Sequence, residues 1–291
     1  MTLLVALGSF VTFAIFASNT ITNVPNAGTV VTGDMGIYPS ESITGFPPGE
    51  VTGTIYAAGS YAGSVKGDAQ VAYLDAKGRP FDTTLTSTDL GGLTLEPGVY
   101  KFDDSAALSS GNLFFHAKGD IDAVWIIQIA SSLYVAGGTG MFFTSGVGNP
   151  NNVYWQVGTS TTLDTGCAVI GNFLCYASVS CEDGVSVNGR LLGLNGEVTL
   201  SNNAVTVPSD MSPTGVPSSA PSCGGSSCAP SIHPATSSSD GDDDEMSVGA
   251  IAGITVGAVV VVGAVGAGVF YGMTKAGGDA AAGAGAGAGT L

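Results

Sequence analysis

From about Val5 to Val207 the apolar residues come in short alternating runs broken by Gly, Asn and Asp. Such a pattern predicts many short strands rather than helices. A repeat is superimposed on it: Trp155, Phe173 and Leu191 lie 18 residues apart, as do Gly166 and Gly184, and Gly171 and Gly189, while Leu163 falls on Cys181 in the same register. A fixed period of this length predicts stacked coils. At ~3.3 Å per residue an 18-residue coil makes three faces of about six residues, and stacking at ~4.8 Å puts Trp155, Phe173 and Leu191 in one inward ladder. Ser64 to Lys77 breaks the pattern. There Ala69, Ala72, Tyr73 and Ala76 recur at helical spacing before Gly78 and Pro80, which predicts one amphipathic helix packed alongside the coils.

The C-terminal third reads differently. Met246 to Thr274 contains no charged residue and is rich in Val, Ile, Ala and Gly, longer than the ~20 residues a bilayer core requires. It is expected to span a membrane. Asp240, Asp242, Asp243, Asp244 and Glu245 precede it and Lys275 follows it, so the lysine bias puts the C-terminus inside and the rest outside. Gly249, Gly253 and Gly257 recur on one helical face, allowing self-association of two such helices or reflecting general glycine richness. A glycolipid-anchor signal is the competing reading, against which stand Thr274-Lys275 and the long Ala/Gly end. From Pro208 to Asp240 little is apolar, so the segment cannot offset its ordering entropy. The expected organisation is a folded domain over 1–207, a Ser/Pro/Gly and acidic stalk over 208–245, the membrane helix over 246–274 and an Ala/Gly-rich tail over 275–291. Met1 to Ala17 imitates the apolar core of a signal peptide, yet has no basic leader region and no persuasive cleavage site.

Charge and chemistry narrow the function. Seven Lys+Arg against 23 Asp+Glu give a formal charge of -16, with 10% charged residues and 45 glycines in 291. Nothing here offers a basic footprint for nucleic acid. Cys167, Cys175 and Cys181 read as buried small apolar residues, and Cys223 with Cys228 as one linker disulfide. His116 and His233 are the only histidines; His116 reads as a strand residue and His233 lies in the stalk. Without a nucleophile, a metal-ligand set or clustered acids and bases, neither a catalytic centre nor a cofactor is expected, a β-helix polysaccharide lyase or hydrolase included.

Several segments carry a family likeness. They are Phe13-Ala14-Ile15, Thr20-Ile21-Thr22-Asn23, Val31-Thr32-Gly33-Asp34-Met35-Gly36, Ile43-Thr44-Gly45-Phe46-Pro47-Pro48-Gly49, Leu90-Gly91-Gly92-Leu93-Thr94-Leu95 and Pro97-Gly98-Val99-Tyr100. Trp155-Gln156-Val157-Gly158, Val187-Asn188-Gly189-Arg190 and Val198-Thr199-Leu200 complete them. In order and spacing the chain from about Val5 to Val207 resembles the ice-binding β-solenoids of cold-adapted microbes. The resemblance implies a mainly β fold, a right-handed three-faced β-helix with one long α-helix along its side, and it places Leu7 to Asn23 inside the mature domain. It also implies adsorption to ice through a flat Thr/Gly-rich face. The matching positions are Thr32, Thr52 with Thr54, Ser110 with Asn112, Thr139, Thr165, Ser186 beside Asp183-Gly184, and Asn202. Cys167-Ala168 stands where a second Thr would be usual, and Asp34 and Asp183 bring charge near the face. The alternative for these positions is that Gly and Asn turn corners while Thr fills exposed strand sites. The alternative for the domain is an adhesin or coat protein, which needs exposed aromatic residues such as Tyr38, Tyr56 or Tyr154.

Overall fold

Short strands with one buried face must bury it against their own neighbours, and here the chain does so by coiling. The computed structural model describes residues 3–86 and 88–209. The expected membrane helix and tail, with nearly all of the stalk, Cys223, Cys228 and His233, lie outside the described residues. Among those described, no helix is long and apolar enough to cross a membrane.

A short 3-10 turn leads into β1 (Phe13–Ala17), β2 (Ile21–Asn23), β3 (Val30–Thr32), β4 (Asp34–Ile37), β5 (Ile43–Thr44), β6 (Glu50–Val51) and β7 (Ile55–Ala57). Helix α1 (Gly59–Gly78) follows, then β8 (Thr83–Thr84), β9 (Thr94–Leu95), β10 (Gly98–Phe102), β11 (Ala106–Leu108) and β12 (Leu113–Phe115). Next come β13 (Trp125–Ile129), β14 (Leu133–Val135), β15 (Met141–Phe143), β16 (Val153–Val157) and β17 (Thr161–Leu163). The last are β18 (Ala168–Cys175), β19 (Val179–Asp183), β20 (Ser186–Gly193), β21 (Val198–Ser201) and β22 (Ala204–Thr206).

All pairings are parallel and define three faces. The first is stacked as β7-β4-β1-β20-β18-β16-β13-β10-β8 and the second as β5-β2-β21-β19-β17-β14-β11. The third is stacked as β6-β3-β22-β20-β18, continued across a Gly140–Ala168 bridge by β15-β12-β9. Strands β18 and β20 serve two faces because each bends at a glycine. A Cβ on Gly189 would meet the Gly171 carbonyl oxygen at 1.8 Å, so only two stacked glycines let the chain turn this corner in one residue.

The stacking order is not the chain order. The N-terminal coils run outward from β1 to β7, and the C-terminal coil returns to lie against them: Leu191 pairs with Ile15, and Val205 with Val31. Helix α1 makes this possible. Its 20 residues cover about 30 Å, most of the ~4.8 Å steps that separate β7 from β8. It lies on the first face, burying Ala62, Val65, Ala69, Ala72, Tyr73 and Ala76 against Ile126, Tyr154, Leu174 and Leu192. Its last carbonyls, otherwise orphaned, accept from the Gln128 amide: Ala76 at 2.9 Å, Lys77 at 3.3 Å and Arg79 at 2.8 Å. The sequence-predicted helix thus begins five residues earlier, at Gly59 rather than Ser64, with the four expected buried positions intact.

Inside, Trp155 and Phe173 stack at 5.7 Å and 7°, and Phe173 pairs with Leu191. Cys167, Cys175 and Cys181 are buried and unpaired, and burial pushes the Cys175 thiol up to about 12. His116 does not lie in a strand. It follows β12, with Nδ1 2.8 Å from the Thr144 hydroxyl. Arg190 ties the N-terminal segment to the later coils. It is 1% exposed and donates to the Val11 carbonyl, to Asn151 Oδ1 at 2.7 Å and to Asn172 Oδ1 at 2.8 Å.

Candidate functional site

Each rung offers only a few outward side chains, so a site on this fold must be a column that repeats from rung to rung. On the first face that possibility is closed, because α1 covers it. Among the described residues no element covers the second face. Its strands alternate buried and accessible positions, and the accessible residue at the centre of each forms one column in strict register: Ala107, Tyr134, Thr162, Ser180, Thr199, Thr22 and Thr44. From Thr162 to Thr44 every member carries a hydroxyl. The β-branched threonines hold χ1 still, and neighbouring hydroxyls repeat at the ~4.8 Å strand spacing.

A second column borders it where the first face turns into the second. Ser132, Ser160, Ser178, Glu197, Thr20 and Ser42 follow one another, each carbonyl accepting from the strand of the adjoining rung. Their hydroxyls are partly fixed: Ser160 Oγ accepts from Ser178 N at 3.2 Å, Ser178 Oγ accepts from Glu197 N at 3.2 Å, and the Thr20 hydroxyl donates to Glu197 Oε2 at 3.2 Å. Charge touches the central column at Glu182, whose Oε1 accepts from the Ser180 hydroxyl at 3.4 Å, and borders it at Glu197. At one end Tyr134, 42% exposed, stands above the level of its neighbours and donates to Asp164 Oδ2 at 2.8 Å. The Thr165 amide and then this phenol hold the Asp164 carboxyl below its usual range.

The positions singled out from sequence are not one surface. Thr139, Thr165 and Asn202, with Ser110 and Asn112, lie at the corner between the second and third faces. There the chain takes left-handed φ at Gly138 (72°), Gly166 (67°), Gly184 (72°), Asn202 (53°) and Asn26 (66°), and Gly or Asn is the residue that tolerates it. Several side chains serve the corner itself. Thr139 Oγ donates to the Ala136 carbonyl at 2.8 Å, Asn112 Oδ1 accepts from Gly140 N at 2.9 Å, and the Ser110 hydroxyl donates to Asp89. Thr32, Thr52 and Ser186 lie on the third face, and Thr54 on the turn before β7, its amide donating to Asp34 at 2.8 Å. The column of Thr22, Thr44, Thr162, Ser180 and Thr199 was not singled out. Its signal was there, as the central hydroxyl of the apolar-flanked triplets Val179-Ser180-Cys181 and Val198-Thr199-Leu200.

Of Tyr38, Tyr56 and Tyr154, the last is buried and the other two are half-buried. Tyr154 is 2% exposed and donates to the Val5 carbonyl, while Tyr38 and Tyr56 pack beneath the helix side. No group of three or more His, Cys, Asp or Glu among the described residues could hold a metal ion.

Acid should loosen the corners before it touches the core. Ser110, Ser109 and Gly91 donate to Asp89, and Ser9 to Asp68, holding both carboxyls below the usual carboxylate range. A depressed native pKa stabilises above the unfolded value of about 4 and is lost as pH falls through the native one. Thermal melts are therefore expected to stay level from neutral pH to about 5 and to drop progressively below about 4.

The profile of the Ice-binding-like family matches residues 15–206. An ice-binding protein of Nostoc sp. (strain HG1) is 38% identical over 201 residues, covering 69% of this chain and 73% of its own length. One from Colwellia sp is 37% identical over 224 residues, covering 71% and 85%. The crystal structure of an ice binding protein from an Antarctic Biological Consortium superposes with a TM-score of 0.69 at 38% identity, covering 72% of this chain and 93% of that one.

Proposed function

The chain belongs to the ice-binding-like family, and from that premise we propose that it adsorbs to ice through the second face. The carrying observation is the in-register hydroxyl column Thr162-Ser180-Thr199-Thr22-Thr44 on a parallel sheet that no described element covers. An ice surface is a neutral, periodic array of donors and acceptors, and it is matched by groups that repeat, do not move and carry no charge. Each threonine supplies a hydroxyl able to join a lattice and a methyl that limits its hydration. The packed interior below keeps the strands from shifting. Individual contacts are weak and act together. Bound molecules then force the ice front to bulge between them, and a curved front melts at a lower temperature, so growth and recrystallisation slow. Thr139, Thr165 and Asn202, on the bordering corner, set where that plane ends.

The test is partition into a slowly growing ice front. The purified chain is expected to be incorporated, whereas exclusion to the level of an inert protein of similar size contradicts the reading. The protruding phenol gives a finer prediction. Replacing Tyr134 by Thr extends the level column by one rung, so Tyr134→Thr is expected to raise thermal hysteresis, measured by nanolitre osmometry.

We also propose that residues 246–274 anchor the domain to a membrane, with the domain outside. Support comes from their sequence, which is charge-free and rich in Val, Ile, Ala and Gly between an acidic run and Lys275. Fractionation of expressing cells checks it: the chain is expected with the membranes after a carbonate wash, and recovery in the wash contradicts it.

A further inference from the structure

Helix α1 ends before the first face does. Thr84, Lys101, Gln128, Gln156 and Leu174 form one column of that face in strict register on successive rungs, and the helix stops at Gln128. There Gln128 Nε2 donates to the three helix-end carbonyls, while Gln156 Nε2 donates to the Tyr73 hydroxyl at 3.1 Å. The two residues are only 6% and 3% exposed, yet neither Oε1 accepts a hydrogen bond from another described residue. No side-chain oxygen buried among the described residues lacks a partner, so both of these are open to solvent. Gln128 and Gln156 line a cavity of about 280 Å³, together with Lys77, Lys101 and Phe102.

Backbone geometry keeps this cavity open. Along the corner where the first face turns into the second, Ala130, Gly158, Tyr176 and Leu194 follow one another on successive rungs. Ala130 and Gly158 border the cavity, and a Cβ on Gly158 would meet the Ala130 carbonyl oxygen at 2.0 Å. No side chain at that position can fill the space. One rung on, the exposed Tyr176 ring packs against Tyr73 with centroids 5.9 Å apart, giving this corner an aromatic border.

The lining selects by hydrogen bonding more than by charge. Two amide carbonyls accept, and the Lys77 and Lys101 ammonium groups carry three donors each. Asp103, 2.7 Å from Lys101 Nζ, offsets one of the two positive charges, and the C-terminal end of α1 carries partial negative charge, so an anion finds little net attraction. A cation meets two lysines. What fits is a neutral molecule whose adjacent hydroxyls donate as well as accept and whose C–H groups can lie on an aromatic ring. We propose that this cavity is a binding site for a neutral sugar of hexose size. Its hydroxyls donate to Oε1 of Gln128 and Gln156 and accept from Lys77 and Lys101, and its apolar edge rests against Tyr176. The site lies on the first face and does not depend on ice adsorption by the second.

The experiment is saturation-transfer NMR on the purified full-length chain with D-glucose, D-galactose and D-mannose, each also as its methyl glycoside, and with acetate and citrate as anionic probes. At least one sugar is expected to bind with a Kd in the millimolar range, and neither anion to bind as well. The methyl glycosides separate a free sugar from the end of a glycan chain, since only the second tolerates a substituent on the anomeric oxygen. Ala130→Leu fills the cavity from its exposed rim, and Tyr176→Ala removes the ring; each should weaken sugar binding by about tenfold. Melting curves show whether each variant is folded, and Lys101→Met replaces one that is not. The second-face variant, Thr22→Tyr with Thr199→Tyr, should bind sugar as wild type does. Absence of transfer to every sugar overturns the inference. So does sugar binding that Ala130→Leu and Tyr176→Ala leave unchanged, which would place the ligand elsewhere, and so does tighter binding of acetate or citrate than of any sugar.

Discussion

Replacing Thr22 and Thr199 by Tyr is expected to lower thermal hysteresis to a small residue of the wild-type value while leaving the melting temperature nearly unchanged. The two residues are neighbours on adjoining rungs, at the centre of the column. Two phenol rings there would hold the plane away from ice over several rungs, so contacts that act together are lost together. A weakening of about tenfold or more corresponds to only ~1.4 kcal/mol, well within what steric separation of a periodic contact removes. Because both side chains point away from the core, stability should change by less than about 0.5 kcal/mol, as for surface substitutions in general. Nanolitre osmometry and a thermal melt on the same sample check both halves.

The largest effect on stability is expected at Arg190. Its guanidinium lies where the last long strand meets the N-terminal coil, and it satisfies the Val11 carbonyl together with Asn151 and Asn172. Arg190→Met fills much of the volume but leaves the fully buried Asn172 Oδ1, and the less buried Val11 carbonyl and Asn151 Oδ1, without this donor. A buried orphan costs about 1–3 kcal/mol and one that water can reach costs less, so stability should fall by about 2–3 kcal/mol, at the upper end for ordinary single substitutions. Chemical denaturation measures it. A loss under about 1 kcal/mol would mean that the N-terminal coil is held by strand pairing alone.

How much of this was legible in the sequence depended on how locally each feature is specified. The 18-residue period survived because the corners between β16 and β20 keep constant length, so Trp155, Phe173 and Leu191 remain in register. One rung earlier the period fails: Ile127 pairs with Trp155, 28 residues on, because a longer corner intervenes. The return of the C-terminal coil onto β1 has no local signature at all. Leu191 meets Ile15 across 176 residues, and only the family resemblance pointed to a fold that does this. For the candidate site, Thr-Gly and Asn-Asn pairs repeat for a reason of backbone geometry. Gly166, Gly184 and Asn202 occupy a column of left-handed corner positions, and the Thr and Ser beside them are spaced by the same rung repeat. Corner chemistry and face chemistry share one period, so period alone does not separate them. Which way a side chain points does, as the alternation of buried and accessible residues on β2, β17 and β21 shows.

The central claim is that ice meets the second face and not the helix side. It is tested most directly by freezing three proteins side by side: wild type, the Thr22→Tyr/Thr199→Tyr variant, and Gln70→Tyr on the exposed side of α1. The helix variant should enter the ice as wild type does, with the second-face variant depleted from it. Equal incorporation of the two variants would contradict the assignment.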